Sequence, residues 1–64
     1  MKVRVNRTEV DIFDGARVRH AVLQYFVRHR INTSRLALIS VTDAHGHRID
    51  LDAPLNDGDH IKLA

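Results

Sequence analysis

The hydrophobic period of this 64-residue chain changes twice, from two to about 3.6 and back to two, and that order restricts the fold more than any other feature. Val3 and Val5 alternate with Lys2 and Arg4, Asn6-Arg7-Thr8 supplies turn residues, and Val10 and Ile12 alternate with Glu9 and Asp11. This is the pattern of a β-hairpin. At Asp14-Gly15 the period shifts, and Val18, Ala21, Val22, Tyr25 and Phe26 follow at the i, i+3, i+4, i+7, i+8 spacing of one apolar helix face. The spacing predicts a helix from about Ala16 to about Arg30, capped by the Asp14 carboxylate and ended by Asn32-Thr33-Ser34. Beyond it Ile39 and Val41 point one way, Ala44-His45-Gly46-His47 forms a loop, and Ile49 and Leu51 return on the same face as a second hairpin. Pro54 and Leu55 lead to the turn Asn56-Asp57-Gly58 and a last strand, Asp59 to Leu63, with Ile61 and Leu63 inward. The order reads as ββαββ. A helix between two hairpins has to cover one face of a mixed sheet, because the inward residues have nothing else to bury against. The expected class is α+β, with one domain over residues 1–64.

A domain of this length buries roughly 60% of the surface its unfolded chain exposes, which leaves no room for a core and a deep catalytic cleft together. With 44% apolar and 28% charged residues, the composition is that of an ordinary soluble domain. No cysteine is present, which excludes a disulfide framework, a thiolate zinc site and a cysteine nucleophile. The first residues alternate polar and apolar without a run of signal-peptide length, so the cytoplasm is the expected location and no membrane span is expected. Ser34 and Ser40 lie in no nucleophile-elbow context, Asp50 and Asp52 point to one side of a strand without a pocket, and Gly15, Gly46 and Gly58 each sit at a turn. Neither catalysis nor a cofactor is expected.

Two segments carry a family resemblance. The opening hairpin with Phe13-Asp14-Gly15-Ala16-Arg17-Val18, and the closing Leu55-Asn56-Asp57-Gly58-Asp59-His60-Ile61, resemble the small sulfur-carrier proteins of thiamine and molybdopterin synthesis. The Leu-x-Asp-Gly-Asp-x-Ile pattern is also similar to the end of TGS-type domains attached to some tRNA synthetases and GTPases. The resemblance covers essentially the whole chain and implies a β-grasp (ubiquitin-like) roll, but its motifs make turns and a cap rather than chemistry. The sulfur carriers end in Gly-Gly on a flexible tail that enters an adenylating enzyme. This chain stops at Ala64, within or directly after the last strand. Unless it is a truncated or processed form, the comparison leads away from sulfur transfer and toward a divergent, non-conjugating adaptor that binds a larger protein, an adenylating or pathway enzyme among the candidates.

For such a role the outer helix flank is the expected surface. At 100° per residue Arg19, Leu23, Val27 and Arg30 fall together, with His20 and Gln24 beside them, and two aliphatics rimmed by arginines suit a partner with an apolar groove and acidic edges. The alternative is that the Ile31 to Leu38 segment covers them. Eight arginines against two lysines favour forked contacts with carboxylate or phosphate. Arg17, Arg19, Arg28, Arg30 and Arg35 lie on or just after the helix, whereas most acidic residues lie in the 43–59 stretch. Nucleic acid is the lesser expectation, since net charge is only +2 and two of the three aromatics are assigned to the helix core. Asp43, His45 and His47 have spacing that permits a metal, yet no third ligand is fixed, and a solvated loop is the preferred reading. Exposed sheet edges would allow a weak homodimer or an added partner strand, with Arg48, Asp50 and Asp52 placed to discourage it.

Overall fold

The structure is a computed structural model and describes all residues 1–64. Its elements are β1 (Lys2–Val5), β2 (Thr8–Asp11), α1 (Val18–Arg28), a 3₁₀ segment (Thr33–Leu38), β3 (Val41–Asp43) and β4 (His60–Leu63). The strands form one sheet in the order β2-β1-β4-β3. β1 pairs antiparallel with β2, Val3 opposite Val10, and parallel with β4, Val5 opposite Ile61. β3 lies antiparallel to β4, Val41 opposite Leu63. The domain is α+β, a mixed four-stranded sheet with one main helix.

Alternation decides which side of the sheet is covered. Val3, Val5, Val10, Val41 and Ile61 are buried and form one cluster with Val18, Ala21, Val22 and Phe26 of α1, closed at one end by Leu55. Tyr25, expected in the same stripe, is only half-buried. No helix is long and apolar enough to cross a membrane.

Three local expectations are corrected. The helix starts at Val18, and its cap is not Asp14. The amides of Val18 and Arg19 donate to the carbonyls of Ala53 at 2.9 Å and Leu51 at 2.8 Å, so the returning chain satisfies the helix N-terminus. The Asp14 carboxylate lies 3.4 Å from the Met1 ammonium instead. The helix also ends early, at Arg28. The amide of Ile31 donates to the Phe26 carbonyl at 2.8 Å and that of Arg30 to the Val27 carbonyl at 3.3 Å, with Arg30 at φ 56°. That is a Schellman stop with arginine at the left-handed position where glycine is usual. Asn32 caps the following 3₁₀ segment, its Oδ1 accepting from the Ser34 amide at 2.9 Å.

The second hairpin forms only as a fragment. The Asp43 amide donates to the His47 carbonyl and the Ile49 amide to the Val41 carbonyl, around a single bridge between Thr42 and Arg48. The chain then turns, with the Ala53 amide donating to the Asp50 carbonyl and the Asp52 amide to Asp50 Oδ1. Asp50 and Asp52 are therefore turn residues and not strand neighbours. Residues 51–53 have to reach the start of α1 to cap it, so they cannot also run beside β3, whose partner along its length is β4.

Candidate binding surface

Between the end of β2 and the outer face of α1 runs a groove walled by Asp11, Ile12, Phe13, His20, Leu23, Gln24 and Val27. Its volume, about 380 Å³, is at the low end for ligand pockets, and it is open to solvent, so it suits an inserted side chain better than an enclosed small molecule. Phe13 is 60% exposed and Val27 67%, two of the three large apolar residues left in solvent. Leu23 forms the half-buried floor between them. The groove exists because β2 leaves the sheet at Ile12 and the chain turns through Gly15 at φ 86°, which carries Phe13 back across the helix.

His20 is held in place from both sides. Its Nδ1 accepts from the Arg17 amide at 2.9 Å, and its ring meets Phe13 edge to face at a centroid distance of 5.0 Å. The first contact satisfies one of the open amides of the helix start and the second fixes the aromatic wall of the groove.

Of the residues expected to meet a partner, His20, Leu23 and Val27 line the groove together. Arg19 and Arg30 do not. The guanidinium of Arg19 pairs with Asp52 at 2.5 Å, on the flank facing residues 39–51. Arg30 stands past the helix end, outside the helical register on which its placement depended, and is exposed. Ile31 and Leu36 pack against the core, but the 31–38 segment leaves Val27 uncovered. Sequence reasoning missed Phe13 and Ile12 as groove walls. The available signal was an aromatic immediately after Ile12, where alternation aims it away from the core.

The hairpin-tip residues are organised by hydrogen bonds of their own. Asp43 Oδ1 accepts from the amides of His45 at 2.8 Å and His47 at 2.9 Å, and Oδ2 lies 3.5 Å from His47 Nδ1. The His47 amide above all holds the Asp43 carboxyl below its ordinary range, partly opposed by desolvation and helped by the His45 amide and the two imidazoles. No group of three or more His, Asp or Glu has metal-holding geometry anywhere in the chain. Ala64 is paired with Ser40 through both backbone hydrogen bonds, at 2.9 and 3.2 Å.

Neither outer strand offers a fully open edge. Residues 47–49 cover β3, and on β2 the Glu9 carbonyl accepts from Arg28 Nη1 at 2.9 Å. No protein-family model and no curated protein matches the chain.

Proposed function

We propose that this chain is a β-grasp, ubiquitin-like binding module without catalysis of its own, which takes an apolar side chain of a larger protein partner into the groove between Phe13 and α1. The fold reading is supported by the parallel pairing of the first and last strands at the centre of the sheet, with the helix laid across one face. The observation that carries the function is the pair of exposed apolar walls, Phe13 at 60% and Val27 at 67%, flanking the half-buried Leu23 in one groove. Small domains gain little by leaving such area in water, and a partner that covers it gains roughly 25 cal/mol for each Å² of apolar surface removed.

The test is a quantitative pull-down with the full chain. Val27→Asp and Phe13→Ser replace exposed groove walls and should leave thermal unfolding nearly unchanged. The reading expects a protein retained by the unsubstituted chain and lost with both variants. The same protein retained by both would remove the groove from the account.

A further inference from the structure

The side of the sheet away from the helix is polar throughout, and its charge is unevenly distributed. Outward alternation places Lys2 and Arg4 on β1, Glu9 and Asp11 on β2, His60 and Lys62 on β4 and Thr42 on β3, all on this face. The bridge from Thr42 adds Arg48 to the same row, and Arg7 borders it beside Lys62. The acidic groups lie toward one margin, on β2, where Glu9 lies 3.7 Å from Lys2, and in the turn before β4, where Asp57 Oδ1 accepts from the Lys2 amide and Asp59 borders Arg4 and His60. Arg4, Arg7, Lys62 and Arg48 have no acidic partner and donate no side-chain hydrogen bond within the chain, in contrast to Arg17, Arg19 and Arg28.

Strand spacing sets the reach of this face. Neighbouring strands are about 4.8 Å apart, so the row from Arg4 across β4 and β3 to Arg48 covers about 14 Å, the length of a few residues of extended peptide. His60 lies within it with Nε2 2.9 Å from the Asn6 carbonyl. A carbonyl only accepts, so Nε2 carries the proton and Nδ1 is the nitrogen left for other contacts.

We propose that this face binds an acidic segment of a protein partner, with carboxylates over Arg4, Lys62 and Arg48. Three unpaired forked donors and one ammonium match carboxylates, and the acidic β2 margin fixes the orientation of a chain laid across the sheet. Phe13, Tyr25 and Phe26 all lie on the helix or its lead-in, so the face has no aromatic on which a base could stack. Glu9 and Asp11 repel a phosphate backbone that crosses the whole sheet. The surface is separate from the groove and does not depend on it.

The experiment titrates a short glutamate-rich peptide, and separately a duplex oligonucleotide, into the isotopically labelled full chain while amide resonances are followed at low and high salt. The expected result is saturable shifts at Arg4, Thr42, Arg48, His60 and Lys62, with Phe13, Leu23 and Val27 unmoved, and weakening of about tenfold in the double variant R4E/K62E. The milder pair R4Q/K62Q should weaken binding in the same direction, which separates lost binding from lost folding. Shifts at the helix arginines, no saturable shifts, or a duplex that binds this face more tightly than the peptide would each overturn the proposal.

Discussion

The side-chain amide of Asn6 donates to the Tyr25 hydroxyl at 3.1 Å, tying the turn between the first two strands to the middle of the helix. The same carboxamide accepts from the Leu63 amide at 2.9 Å, and the residue sits at φ 55°, a region asparagine tolerates better than most side chains. One residue thus connects hairpin, helix and last strand. Asn6→Ala is expected to destabilise the domain by about 2–3 kcal/mol, from left-handed strain plus an unpaired Leu63 amide. Asn6→Gly should cost less, because it loses the same side-chain hydrogen bonds but adopts φ 55° without strain, and Tyr25→Phe about 1 kcal/mol. Urea unfolding measures all three; equal losses for Ala and Gly would show that the backbone conformation contributes nothing.

Arg30 occupies the left-handed stop of the helix without a glycine's freedom and without a partner inside the domain. Arg30→Gly should therefore raise stability by about 1 kcal/mol, an unusual gain for removing an arginine. Thermal unfolding reads this directly, and an unchanged or lowered midpoint would place Arg30 in an interaction within the fold that its geometry does not provide.

Much of this architecture is legible in the sequence because periodicity is a direct physical signal. Val3, Val5, Val10, Val18, Val22, Phe26 and Ile61 are all inward where the period put them. What escaped was set by tertiary competition. Asp14 is a good cap by type, but the carbonyls of Leu51 and Ala53 arrive at the helix start from far along the chain, and no local pattern announces them. Ile49 and Leu51 keep the alternation of a strand while packing at the core edge from a bridge and a turn. Two of the five residues expected to meet a partner lie away from the groove for a related reason: Arg19 turns to Asp52, and the early helix stop takes Arg30 out of the helical register.

The Asp43 carboxylate organises the 43–47 loop through two amides, which lowers its pKa in the folded state. A depressed carboxyl contributes stability that is fully present above its unfolded pKa of about 3.9 and is lost as pH falls through the lower folded value. The stability difference between the unsubstituted chain and Asp43→Ala should accordingly be constant from neutral pH down to about 5 and shrink below 4. Unfolding midpoints collected across that range test it, and a difference that stays constant into strong acid would assign the effect to loop packing rather than to the ionised group.

A photoreactive amino acid at Val27, whose side chain is 67% exposed and lines the groove, tests whether the space between Phe13 and Val27 receives a protein partner. Irradiation in the source cells should give a covalent adduct with one protein, lost when Phe13→Ser is added and retained in R4E/K62E. No adduct at Val27, or one that persists after Phe13→Ser, would contradict the assignment of this groove as the binding surface.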